Sequence, residues 1–297
     1  MKRSLYHFIF LLFLLGCSAQ PRPHGKMTLT VTDDLGRTIS LSQAPSRIIS
    51  FAPSLTEMVY ALGGENRLAG VTAWCNWPPQ AKEKTVVGDM ISPNFERMVS
   101  LKPDLALIIG SRPSPLLKKF EALNIPVLCF KDETVADIQR ALKVLGQVLE
   151  CPSRADSLNR EMDLQLAAIK AAVDQVPMEQ RPKVFAELGS SPLFAAGDQS
   201  FIGQMIALAG GINVTGKIPS SYAAVNPELV VKNDPGIIIV LHPQASRKDI
   251  EQRLGWQNVS AVKNGRIYPG LDQDVILRPG PRFTEGIKIL HGIFYAP

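Results

Sequence analysis

The sequence is poor in the residues that most often announce catalysis or a bound metal. Its 297 residues hold four histidines, His7, His24, His242 and His291, and they form no metal-ligand cluster. No His-Glu-x-x-His occurs, which excludes a zinc-protease helix. Four cysteines are present, but no Cys-x-x-Cys, so the thioredoxin-type redox motif is excluded. No two glycines are spaced Gly-x-Gly, so the dinucleotide fingerprint is missing, and no Gly-x-Ser-x-Gly marks a nucleophile elbow. Gly211 to Lys217 (GINVTGK) has the outline of a phosphate loop. Ile218, however, stands where the metal-binding Ser or Thr belongs, and the preceding segment reads as helix rather than strand. The segment is read as a loop ending a helix. The charge excess is only +5 and no Lys/Arg run gathers it, so nothing points to nucleic acid.

Long apolar runs are also scarce. The clearest, Leu5 to Leu15, is too short to span a bilayer, which takes about 20 residues. It follows Lys2 and Arg3 and ends in Leu14-Leu15-Gly16-Cys17. A basic start, an apolar core and a small residue before cysteine, in that order, make a lipoprotein signal. The expectation is cleavage after residue 16, with an acyl group on Cys17 and a membrane-anchored chain outside the cytoplasm. Cleavage would remove Lys2 and Arg3 and no acid, lowering the formal charge from +5 to +3. Residues 17–27, with Pro21, Pro23 and Gly25, read as a lipidated tether.

Cys75, Cys129 and Cys151 remain. An odd count leaves at least one thiol unpaired. Cys129 with Cys151 is one conceivable bridge, and buried structural thiols are the favoured reading.

What is abundant is alternation. Residues 28–41 read as strands around an Asp33-Asp34-Leu35-Gly36 turn. Short apolar strands follow near 47–51, 68–71, 105–109 and 127–130, with helical periodicity between them at 55–62, 94–100, 115–123 and 135–149. Ser54 and Glu57 have capping-box spacing at the first helix. Leu158, Met162, Leu166, Ile169, Val173 and Val176 then recur at steps of three or four, predicting one long helix closed by Pro177. Beyond it, strands at 183–188, 237–241 and 266–268 alternate with helices at 201–208, 227–231, 248–254 and 284–291. The pattern predicts an α/β fold: a doubly wound N-terminal lobe (28–150), a linking helix (151–177) and a doubly wound C-terminal lobe (178–297). A ligand cleft belongs between the lobes, where strand-end loops face each other.

Four stretches carry a resemblance over most of residues 28–297: RIISFAPSLTEMVYALG (47–63), GVTAWCNWPPQAK (70–82), NFERMVSLKPDLALI (94–108) and RPGPRFTEGIKIL (278–290). The chain resembles the periplasmic binding proteins of cobalamin, haem and iron-siderophore importers, and the cobalamin-binding type most. The resemblance implies an extracytoplasmic, non-enzymatic protein with no prosthetic group. It would deliver a corrinoid to the transmembrane permease subunits of an ABC importer. A corrinoid is a wide apolar disc with an amide-rich edge, so its cleft needs aromatic walls and a few polar groups. Trp74 falls in the loop after a strand and is expected in that cleft; Trp77 is left open between cleft and lobe surface. By position in the family pattern, Met90, Phe194 and Tyr222 match apolar or aromatic cleft positions, and Asp274 matches a cleft carboxylate. Met90 and Tyr222 stand where a well-studied member carries tryptophans. Glu96 and Glu228, each near the start of a short helix, match the acids that dock onto permease arginines. First-turn acids also serve helix dipoles, and both roles can hold together.

Two alternatives stand beside this. Haem would want an axial ligand, for which Tyr222 or His242 is available, and an iron-siderophore would want arginines, of which Arg112 is the loop candidate. A lipid-anchored enzyme on the same scaffold would need a nucleophile with an adjacent base, and the sequence displays none.

Overall fold

The structure, a computed structural model, describes residues 29–296. The signal and tether, Cys17 included, lie outside the described residues. β1 (Leu29–Thr32) and β2 (Thr38–Leu41) pair antiparallel around the expected turn. Gly36 takes φ +75° there, a left-handed value that glycine adopts without steric cost.

In the N-terminal lobe, β3 (Ile48–Ser50), β4 (Leu68–Val71), β5 (Leu105–Ile109) and β6 (Val127–Phe130) form a parallel sheet ordered β4-β3-β5-β6. α1 (Pro53–Ala61), α2 (Phe95–Ser100), α3 (Pro115–Ala122) and α4 (Val135–Val148) accompany it. Leu105 and Leu107 enter one core, with Leu55 and Leu142; Ala106 and Ile108 enter the other, with Leu117 and Phe120. Strand alternation therefore buries both faces, and this explains why these strands read as continuous apolar runs.

One local reading is corrected. Ser54 and Glu57 do not form a capping box: Ala52 is the N-cap of α1, and no side chain caps it. Glu57 is buried and belongs to an ion-pair network described below.

In the C-terminal lobe, β7 (Lys183–Ser190), β8 (Leu193–Ala196), β9 (Ile212–Asn213), β10 (Tyr222–Ala224), β11 (Ile237–Val240) and β12 (Ile267–Tyr268) share one sheet. Its order is β10-β8-β7-β11-β12, with β9 beside β7. β7, β9, β11 and β12 run parallel, but β8 and β10 are antiparallel additions that the sequence pattern did not reveal. α6 (Phe201–Leu208), α7 (Pro227–Asn233), α8 (Arg247–Glu251), α9 (Ser260–Lys263), α10 (Gln273–Ile276) and α11 (Phe283–Phe294) complete the lobe.

α5 (Pro152–Val173), 22 residues long, joins the lobes. At 1.5 Å per residue it runs about 33 Å. It packs on α4 from one lobe and on α6 and α11 from the other. A single buried cluster runs from Leu142 and Leu145 through Ala155, Met162, Ile169 and Val173 of α5 to Ile206 and Ile287. The linking helix is thus part of a continuous core. Among the described residues, no helix is long and apolar enough to cross a membrane.

Candidate functional site

The loops that leave the carboxyl ends of the N-lobe strands converge on one place. Ala52 and Pro53 follow β3, Trp74 follows β4, Ile109 ends β5 and Asp132 follows β6; all line a cleft of ≈ 420 Å³. Met90 joins that wall, and Gln273, Asp274, Leu277, Arg278 and Pro279 of the C-lobe form the other. Larger depressions of ≈ 550 Å³ beside Tyr60 and ≈ 720 Å³ beside Leu29 and Gln147 draw on no C-lobe residue. Open α/β sheets bind ligands outside strand carboxyl ends, so position outweighs size here.

The loops that carry the N-lobe wall are held by their neighbours. Cys75 is buried, with Sγ 3.1 Å from Thr56 Oγ1 and 3.2 Å from Thr72 Oγ1, and it pins the loop at that point. Trp74 on one side of it is 68% exposed and lines the cleft, so the indole is free to meet a ligand. Met90, also exposed, rides a tight loop closed by the Asp89 carboxylate, which accepts from the N–H groups of Ile91 and Ser92 at 2.7 Å each. Gly88 makes that loop possible: it has φ +91°, and a Cβ there would lie 2.3 Å from the Ser92 carbonyl oxygen.

Arg278 and Asp274 of the cleft wall belong to an ionic network that ties the lobes together. The Arg278 guanidinium donates from Nη1 to Glu57 Oε1 (2.6 Å) and Asn76 Oδ1 (3.0 Å), and from Nη2 to Asp274 Oδ1 (2.7 Å). Asn76 Nδ2 donates to the second Asp274 oxygen at 2.5 Å. Arg282 donates to both Glu57 oxygens, at 3.1 and 2.9 Å. Its guanidinium also lies 4.4 Å from the centroid of the Trp77 ring. Glu57 and Asn76 come from the N-lobe, and the arginines come from the RPGPR segment of the C-lobe. Trp77 therefore serves this junction beside Tyr60 and Pro281, outside the cleft that holds Trp74.

Phe194 and Tyr222 sit on the antiparallel pair β8 and β10, both partly exposed. Tyr222 pairs with Ala196 and Ala224 with Phe194, so the two rings are diagonal neighbours on one sheet face. Neither lines the cleft wall itself. Tyr222 lies near it all the same: burial pushes its hydroxyl pKa up, and the negative charge of Asp132 pushes it further. Asp132 is itself raised to about 6, first by burial and then by Glu133, with Asp137 adding to it.

Other candidates have different surroundings. His242 is buried; its Nε2 lies 2.9 Å from Glu187 Oε1, a carboxylate that also accepts from Arg253 at 2.6 Å on each oxygen. That ring is structural. Arg112 is exposed in the loop after β5 and does not line the cleft. The GINVTGK segment follows α6 and contains β9, and Thr215 donates its hydroxyl to the Ala196 carbonyl, a loop-fixing role. The three cysteines are free thiols, so the conceivable Cys129–Cys151 bridge is not formed. Cys129 is raised to about 11, mainly by burial and then by Asp33. No group of three or more His, Cys, Asp or Glu that could hold a metal occurs among the described residues.

Glu96 and Glu228 are exposed, one on each lobe. Asn94 accepts from the Arg97 N–H to cap α2, and Asn226 accepts from the Glu228 N–H to cap α7. Neither glutamate joins an ion pair among the described residues.

Several site residues were not found from sequence. Arg278 and Arg282 stand inside the RPGPR stretch with no local signal of their partners, and the spacing of Glu57 from Ser54 suggests a cap instead of an ion pair. Asp132 carried one usable signal, its place just after a parallel strand.

Comparison with known proteins agrees with this architecture. An uncharacterised ABC transporter substrate-binding lipoprotein of Bacillus subtilis (strain 168), YvrC, is 29% identical over 272 residues, covering 90% of this chain and 85% of that one. The vitamin B12-binding protein of Pectobacterium atrosepticum is 29% identical over 241 residues, covering 80% of this chain and 84% of that one. Among solved structures, a possible iron-binding periplasmic solute-binding protein from Staphylococcus epidermidis superposes with a TM-score of 0.74 at 29% identity, covering 85% of this chain and 100% of that one. With its two α/β lobes, its linking helix and a periplasmic binding protein model matching residues 48–273, the chain belongs to the periplasmic binding protein family.

Proposed function

We propose that this chain is an extracytoplasmic substrate-binding lipoprotein, anchored through Cys17, that delivers cobalamin or a related corrinoid to an ABC importer. The observation that carries the reading is the interlobe cleft, which gathers Trp74, Met90 and Asp274 at the strand ends. An exposed indole and a thioether offer soft apolar contact to a flat macrocycle, and a carboxylate waits at its edge. Phe194 and Tyr222 extend the apolar surface from the C-lobe sheet. The vitamin B12-binding relative supports the ligand class, and YvrC supports the transporter role and the lipid anchor. Glu96 and Glu228 serve as docking anions for permease arginines, one per lobe. Their exposure and freedom from internal ion pairs suit that use.

The test is direct. Purified protein is mixed with cyanocobalamin, cobinamide or haemin, desalted, and its absorption spectrum recorded. Corrin bands that travel with the protein are expected. A Soret band without corrin bands would replace the corrinoid with haem.

A further inference from the structure

The cleft has an unusual balance of charge. Among the described residues that line it, Arg278 is the one cation, and both faces of its guanidinium fork already donate to Glu57, Asn76 and Asp274. Two carboxyls, Asp132 and Asp274, line the same cleft. Asp274 is tied to Arg278 and Asn76. Asp132 is not: it joins no salt bridge among the described residues, and the hydrogen bond that steadies it comes from its own backbone N–H. It stands at the carboxyl end of β6 on the N-lobe, and its charge is felt by Tyr222 on the C-lobe. It is therefore a partly desolvated acceptor without a cationic partner among the described residues, placed where a ligand would complete it. A half-buried carboxyl of this kind carries a standing desolvation cost that an N–H donor relieves and an anion worsens.

We propose that Asp132 is the selective polar contact of the cleft, accepting an N–H donor from the ligand's edge and discriminating against ligands with carboxylate edges. The inference rests on the cleft being the ligand site and deepens that reading. It names the favoured ligand as neutral or cationic and amide-bearing.

The chemistry predicts a pH dependence. Asp132 titrates at about 6 in the free protein, held up by burial and by Glu133 and Asp137 beside it. Asp137 is itself bound by Arg140, while Asp274 and Arg278 line the cleft from the C-lobe and Tyr222 lies near enough to feel the charge of Asp132. A donor that binds the ionised carboxylate lowers its pKa in the complex. Affinity is then weak below the free value and rises with pH until Asp132 is ionised without ligand. With the complex titrating well below pH 5, the gain between pH 5 and pH 7 is about tenfold.

The experiment follows tryptophan fluorescence during titration of the full chain with cyanocobalamin, which carries amides, and with haemin, which carries carboxylates. Wild type, Asp132→Asn and Trp74→Ala are compared from pH 5 to pH 7.5. Asparagine keeps the shape, an acceptor and the fold, but cannot ionise. The expected result is an affinity of wild type for cyanocobalamin that rises about tenfold over this range. In Asp132→Asn the profile is flat, binding at pH 7.5 is weaker, and the preference for cyanocobalamin over haemin shrinks. A wild-type protein whose pH profile and ligand ranking survive unchanged in Asp132→Asn overturns this inference alone, provided Trp74→Ala still weakens binding. A wild-type protein that binds neither probe overturns the cleft reading and this inference with it.

Discussion

Replacing Glu57 with glutamine should destabilise the protein by roughly 3 kcal/mol. The side chain is buried and accepts from Arg278 Nη1 and from Arg282 Nε and Nη2, so one carboxylate offsets two guanidinia across the lobe junction. Removing one partner of a buried ion pair generally costs about 3–5 kcal/mol, because the remaining charge is left without compensation. The low end applies here for two reasons. Arg278 keeps Asp274 and Asn76, and Arg282 keeps the face of Trp77. At about 2–4 °C per kcal/mol for chains of this size class, the melting midpoint should fall by roughly 6–12 °C. Urea denaturation followed by far-UV circular dichroism gives the free energy, and calorimetry gives the midpoint. The double variant Glu57→Gln with Arg282→Met supplies the control. If the loss comes from an uncompensated guanidinium, removing Arg282 as well should return part of it, a coupling of about 0.5–3 kcal/mol. A Glu57→Gln protein within about 0.5 kcal/mol of wild type, the spread typical of indifferent surface changes, would show that the network carries no net stability.

Four further outcomes are expected. Trp74→Ala should weaken ligand binding by about 1–3 kcal/mol, as truncating an aromatic anchor does; wild-type affinity in a calorimetric titration would remove Trp74 from the site. Cys17→Ser should move the protein from the membrane fraction to the soluble fraction of fractionated cells, and unchanged retention would contradict the lipid anchor. Small-angle scattering should show only a slight fall in radius of gyration on ligand addition, because α5 and its continuous core resist a wide hinge; a large fall would contradict that. Glu96→Ala with Glu228→Ala should leave ligand affinity nearly unchanged yet nearly abolish uptake, since each lost charge partner costs about 2–5 kcal/mol of docking; normal uptake would refute the docking role.

The parts of the fold legible in the sequence are those written locally. Leu105–Ile109 and Ile237–Val240 are short apolar runs because both sheet faces are covered, and they read directly as buried strands. The apolar spacing of α5 announced a long helix, which ends at Val173 rather than Val176 as the last turn loosens before Pro177. The place of Trp74 on the cleft wall followed from its position in the loop after a parallel strand. The rest failed where the information is not local. Glu57 meets Arg278 and Arg282 across 221 and 225 residues of sequence, and nothing near Glu57 records that. Its spacing from Ser54 instead suggested a cap, a short-range pattern satisfied by chance. β8 and β10 are four and three residues long, too short to show a period, and pairing rather than propensity makes them strands, β8 on β7 and β10 on β8.

The junction and the cleft share residues, and that sharing says how the site stays ready. Asp274 lines the cleft while one oxygen accepts from Arg278 and the other from Asn76. An ionised carboxylate offers about four acceptor positions, so each Asp274 oxygen keeps a lone pair for a ligand donor. If the cleft is the ligand site, as proposed, a ligand need not break the network to reach Asp274; it would meet a carboxylate whose rotamer is already fixed. Ordering such a side chain on binding would otherwise cost about 0.5–1.5 kcal/mol. Arg278 is fixed in the same way by Glu57, and Glu57 by Arg282, so the geometry of the C-lobe wall is referred back to α1 of the N-lobe. The wall opposite is different: Trp74 and Met90 are exposed, and Asp132 joins no salt bridge among the described residues. On the proposed reading of the cleft, adaptation to a ligand would fall to that N-lobe wall, and orientation to the C-lobe wall that the arginines hold.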